Sequence, residues 1–238
     1  MKDLVEFLVR GLATYFPLLG AMLAAPKTTI LQEVRGVEHP IPKAMTVIGL
    51  SIVFGFLLQA PFGGDATRLA SAIASMVALY ALTLFLGAMV IMLSFRLVGG
   101  RATLELSLSA YLYLMGPLYL FLLITNFLSI GIIATHDPEL ARAMRLGMPL
   151  SEDALTEIWN ANVGSAAAFA VVSLLQVAFL LIWPILCWGA FSELNAVSRA
   201  RSVIAWVVAM LGFILVLMPM TLLMMRAMGE DGAFPPII

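Results

Sequence analysis

The sequence predicts an all-α fold, a polytopic integral membrane helix bundle with five transmembrane helices and an N-terminal amphipathic interfacial helix. Three observations carry that expectation. Hydrophobic residues make up 62% of the 238 and charged residues 11%, against roughly 45 to 50% and about 25% in a soluble domain. The charges stand at intervals that leave five long uncharged gaps, and Lys and Arg favour alternate sides of those gaps. A soluble fold of this length could not hide so much apolar surface, so lipid is the expected solvent for much of the chain.

The first element runs over residues 2 to 24. At ~100° per residue, Leu4, Leu8, Leu12, Tyr15, Leu19, Met22 and Leu23 share one side, while Lys2, Glu6, Arg10, Thr14, Ala13, Gly20 and Ala24 share the other. So lopsided a helix reads as one lying in the membrane interface, or as a re-entrant piece docked on the bundle, with Pro17 bending it. The 16 uncharged residues between Arg10 and Lys27 are too few for a comfortable sixth span. An export signal is also a poor fit, because Leu23 is not small and Pro26 would follow the scissile bond, so the segment is expected to be retained. Residues 1–43 are therefore set apart from a membrane domain over 44–238.

Charge at the bilayer centre costs at least ~2.5 kcal/mol, so the spans lie between charges. Lys43 to Asp65 brackets 21 residues, Arg68 to Arg96 27, Glu105 to His136 30, Glu157 to Glu193 35 and Arg201 to Arg226 24. A helix needs roughly 20 residues to cross, so each gap holds one span, centred on 44–60, 70–95, 106–134, 164–191 and 202–225. Pro117, Pro184 and Pro219 should kink three of them, where neighbouring helices can satisfy the freed carbonyls. The connection between the fourth and fifth spans is so short that a tight helical hairpin is expected there.

Orientation follows from the basic residues. Lys2, Arg10, Lys27, Arg35, Lys43, Arg96, Arg101, Arg199 and Arg201 fall on one side, and Arg68, Arg142, Arg145 and Arg226 on the other. The N-terminus is thus expected in the cytoplasm and the C-terminus outside. The one sizeable outer connection, 136–160, is acidic and should hold short helices opened by Asp137 with Pro138 and by Ser151.

Chemistry is sparse. The five cores contain no Asp, Glu, Lys, Arg or His, which argues against proton relays, and His39 and His136 both fall in loops, which argues against haem or zinc. Cys187 has no partner for an intramolecular disulfide and reads as a small buried hydrophobe. No catalytic residue, cofactor or metal is expected. A net charge of −1 gives no field to attract nucleic acid. Gln59, Thr83, Thr125, Asn126, Gln176 and Thr221 read as hydrogen-bonding glue between helices, and small residues such as Ser51, Gly55 and Gly116 as close-packing positions.

Several local patterns occur in a suggestive order. A short apolar helix ends at Pro26 with Lys27, Thr28 and Thr29. After two spans come Gly99, Gly100 and Arg101, then Tyr111, Tyr113, Gly116 and Pro117. Before the last span an apolar run from Trp188 to Phe191 turns through Ser192, Glu193, Leu194 and Asn195 to Arg199. This order resembles the Yip domain family (Ypt/Rab-interacting membrane proteins), particularly its bacterial branch, whose five-span topology it shares. Val37, Glu38, His39, Pro40, Ile41 and Pro42 stand where eukaryotic members carry an acidic, glycine-proline motif, so a Rab-type GTPase partner is not carried over.

The resemblance implies a non-enzymatic membrane scaffold or adaptor in the bacterial inner membrane, acting by helix packing and cytoplasmic loops on other membrane proteins or on itself. The rivals are an oligomeric small-solute transporter or channel subunit and an accessory subunit of a larger complex. The expected docking face gathers Glu193, Asn195, Arg199 and Arg201, with Glu193 paired to an arginine and the Asn195 amide offered to a partner. A simpler account makes the same basic residues a contact for the lipid bilayer.

Overall fold

The computed structural model describes residues 2–59, 66–135, 141, 156 and 163–231, with side chains described for 11–54, 81–135, 141, 156, 163–216, 218 and 219. The described chain is helical throughout: α1 Lys2–Ala24, α2 Pro26–Val34, α3 Pro40–Gln59, α4 Ala66–Leu97, α5 Leu104–Ala134, α6 Val163–Leu194 and α7 Arg199–Asp231. Three of these are long and apolar enough to cross a bilayer: α5, α6 and Arg199–Val216 of α7. The chain is an integral membrane helical bundle. Of the short helices expected within 136–160, only Ala141 and Thr156, both helical, fall among the described residues.

Each boundary has a local cause. Ala25 leaves the helical region and Pro26 opens α2 at its first position, where a missing N–H costs nothing. Pro40 does the same for α3. The α5 start is capped by Thr103, whose side chain accepts from the Leu106 N–H, with Glu105 in the first turn near the positive helix end. At the end of α4, Gly99 has φ +90°, its N–H bonds Arg96 O at 3.0 Å, and Gly100 N–H bonds Phe95 O at 2.7 Å. That is a Schellman ending, which satisfies the last carbonyls before the chain turns.

The α6 end repeats the pattern without a glycine. Ala196 and Val197 donate to the carbonyls of Glu193 and Ser192, each at 3.2 Å, and Ala196 sits at φ +52°. A side chain in that region costs roughly 1 kcal/mol.

α5 is the centre of the bundle, packed by α3, α4 and α6, and α2 crosses the ends of α6 and α5. One core joins all seven helices, from Tyr15 and Met22 of α1 through Ile30, Phe95, Tyr113 and Phe191 to Ala205 of α7. Close approach is set by small residues. A Cβ on Gly116 would stand 3.0 Å from a Val47 methyl, and one on Gly87 would overlap the Tyr111 hydroxyl. α1 is docked by Tyr15, which hydrogen-bonds Ser51 of α3 at 2.8 Å and stacks on Phe54.

Two expectations are corrected. α6 and α7 do not form a tight hairpin: past the turn α7 lies against α4, and among the described residues its bonds to α6 are at the base, where Trp188 Nε1 donates to Ser202 Oγ at 2.7 Å. The short turn fixes where the helices start but not their direction. Thr125 is not interhelical glue either, since its hydroxyl returns to Phe121 and Leu122 of its own helix and Asn126 is exposed.

Gln59 and Thr221 lie outside the described side chains, and among the described residues several bonds between helices come from aromatic residues. Trp183 Nε1 donates to Leu114 O at 2.8 Å, one residue past Tyr113, whose carbonyl loses its ladder donor at Pro117. Phe121, Phe179 and Trp183 stack along the same α5–α6 seam. The outer faces of α6 and α7 carry exposed apolar residues such as Leu174, Ile185, Leu211 and Leu215, as lipid contact requires.

Candidate functional site

Three connections meet at one end of the bundle: 25–43, the link 98–103 between α4 and α5, and the link 195–198 between α6 and α7. The tie at their centre is Asn195. Its side chain is 2% exposed; Oδ1 accepts the Ala102 N–H at 3.2 Å while Nδ2 donates to Phe191 O at 2.9 Å. Its main-chain carbonyl accepts the Arg101 N–H at 3.3 Å. Asn195 thus satisfies amides that the α4 ending leaves over, and it closes its own helix. Gly100 permits this approach: a Cβ there would lie 2.5 Å from Asn195 Oδ1 and 2.8 Å from Phe95 O. Phe95 stacks on Trp188, ring centroids 5.0 Å apart, which seals the tie from below.

A second cluster fastens α2. Glu193, two residues past the apolar run ending at Phe191, pairs closely with Lys27 and at 3.8 Å with Arg35, whose Nη2 also donates to Glu193 O at 2.8 Å. The hydrogen bond from Lys27, with the Arg35 charge behind it, holds the Glu193 carboxyl below its ordinary range. The Lys27 stem lies over Gly189, where a Cβ would meet Cδ at 2.9 Å. Next to it, Glu33 of α2 pairs closely with Lys43 of α3 and accepts the Tyr113 hydroxyl of α5 at 3.4 Å. These pairs are partly solvated, so their role is positioning more than stability.

The expected docking face is therefore rebuilt. Glu193 is at this end, but its first partner is a lysine on α2. Asn195 is not offered outward, because both ends of its amide serve buried main-chain groups. Arg199 and Arg201 are exposed, and among the described residues neither makes an ion pair. Gly116 and Pro117 lie buried in α5, Gly116 facing Val47 and Ser51 of α3, Pro184 is half-buried beside Trp183, and Pro219 is exposed. Lys27 and Arg35, expected close to this surface with the N-terminal helix, are brought onto Glu193, whereas the roles of Trp188 and Gly100 are not legible in the sequence.

Among the described residues no three His, Cys, Asp or Glu side chains gather as a metal-holding group, and Cys187 is buried. The arrangement can hold a fixed polar surface at a bundle end and present cations around it. Compared with family models, with curated proteins and with solved structures, the chain matches none.

Proposed function

We propose that the chain is a non-enzymatic integral membrane scaffold of the Yip type, with five spans, its N-terminus in the cytoplasm, in a bacterial inner membrane. One observation supports the reading above the others. The connections before α3, between α4 and α5 and between α6 and α7 are bonded to each other through Asn195, Glu193 and their partners. Helices joined in this way leave and return to one end, which is the alternation five spans require. Lys27, Arg35, Lys43, Arg96, Arg101, Arg199 and Arg201 all belong to these connections or the helix turns beside them, and such an accumulation favours the cytoplasmic side.

A scaffold needs a surface whose shape persists, and the Asn195 tie supplies it. The surface offered to water includes Val37, Glu38 and His39, all exposed in the link between α2 and α3. Purification in mild detergent followed by native mass measurement tests the reading. A stoichiometric foreign membrane protein is the expected result, and a pure homo-oligomer would favour a channel instead.

A further inference from the structure

The turn that carries Asn195 is not held by its own bonds alone. Two donors converge on one main-chain oxygen there: the Ala196 N–H reaches Glu193 O at 3.2 Å, and Arg35 Nη2 reaches the same atom at 2.8 Å. The second bond crosses 158 positions of sequence. Arg35 caps α2 directly after Val34, which is 1% exposed in the common core, so the root of its side chain is fixed to the bundle. Its guanidinium also stands 3.8 Å from the Glu193 carboxylate, but both side chains are about half exposed, so that pairing is screened.

The turn has a reason to need an outside bond. Ala196 sits at φ +52°, a left-handed conformation that its Cβ disfavours by a factor of roughly five to thirty. Such a turn has a relaxed alternative, and rotation at Ala196 moves the residue before it. That residue is Asn195, on which the α4–α5 link depends twice. Its Oδ1 accepts the Ala102 N–H and its main-chain oxygen accepts the Arg101 N–H.

We propose that Arg35 is a latch on this turn: its bond to Glu193 O holds the strained Ala196 conformation, so that lifting the end of α2 releases Arg101 and Ala102 together. The device has the two parts that coupling at a distance requires, a turn with two arrangements and a contact outside the turn that biases it. It makes the α4–α5 link respond to whatever draws the N-terminal segment away from α6. Arg35 is a positioning residue in this account, acting on Ala102 only through the turn. The inference rests on the bonded connections and not on the scaffold reading.

The test is amide hydrogen exchange at residue resolution on the whole chain in detergent, under conditions where the rate follows the opening equilibrium. Arg35→Gln should speed exchange at Arg101 and Ala102 by a common factor of about five, the worth of one hydrogen bond. Arg35→Gln combined with Ala196→Gly should return both amides to within about twofold of the wild-type rates, because the relieved strain offsets the lost bond. Glu193→Gln removes the carboxylate but keeps the main-chain oxygen, and should change both rates by less than about twofold. Gly100, whose N–H bonds Phe95 O within the α4 ending, should keep its rate in every variant and guards against a folding defect. Unchanged rates in Arg35→Gln, a rise at Ala102 without Arg101, or an equal rise at Gly100 would overturn the latch. So would a failure of Ala196→Gly to restore the rates, or a Glu193→Gln effect equal to that of Arg35→Gln.

Discussion

Asn195 Oδ1 accepts the main-chain N–H of Ala102 at 3.2 Å across 93 positions of sequence, so one side chain on the α6–α7 link fixes the α4–α5 link. Removing it leaves a buried donor unpaired, which costs about 1 to 3 kcal/mol. Asn195→Ala should lower stability by that amount in detergent, read by thermal unfolding. Gly100→Ala should cost a similar amount, since its Cβ meets both Asn195 Oδ1 and Phe95 O. The double variant should lose less than the sum of the two, because one of the two clashes disappears with the asparagine. Strict additivity would mean that the two residues do not touch.

The tie was only half legible in the sequence. Gaps between charges locate the helices well: α3, for instance, runs from Pro40 to Gln59 between Lys43 and Asp65 with a few residues of overhang. They carry no information on which helices pair, and so α7 was expected against α6 when it lies against α4. Asn195 misled for a related reason. A polar residue in a short charged link reads as solvated unless the register of a second link, far away in sequence, is known. Trp183 and Trp188 look like apolar filling by composition, yet their indole N–H groups bond to neighbouring helices.

Ala196 offers a gain. At φ +52° it holds the left-handed position that ends α6, where glycine bears no Cβ penalty. Ala196→Gly should raise stability by about 1 kcal/mol with no change in the exposure of Asn195. A loss of stability would show that the turn is held in another conformation.

Trp183 and Pro117 should be coupled. Trp183→Phe keeps the stacking with Phe179 but removes the bond to Leu114 O, at a cost on the order of 1 kcal/mol for a polar bond inside a membrane bundle. In a Pro117→Ala background the ladder bond to Tyr113 O returns and the straightened turn brings Leu118 N–H onto Leu114 O, so the same change should cost less. Unfolding of the four proteins in detergent measures the difference, and an equal cost in both backgrounds would break the link between the proline and the indole.

The Glu193 pair sets a pH window for α2. Its carboxyl is held low by Lys27, so its folded value is below its unfolded one. The contribution of the pair is complete above the ordinary glutamate value, near ~4.3, and is lost as pH falls through the depressed folded value. Hydrogen exchange of amides 27–34, corrected for intrinsic rate, should show constant protection from about pH 5 to 8 and a loss only below about pH 4. A loss between about pH 5 and 7 would assign the fastening of α2 to another group.

The proposed topology has five helices that alternate across the membrane from one tied, positively charged end. Reporter fusions in the intact chain measure this most directly. Fusions after Gly100 and after Ser198 should read as cytoplasmic, and those after Asp65 and Asp153 as external. A cytoplasmic signal after Asp153, or opposite signals after Gly100 and Ser198, would contradict it.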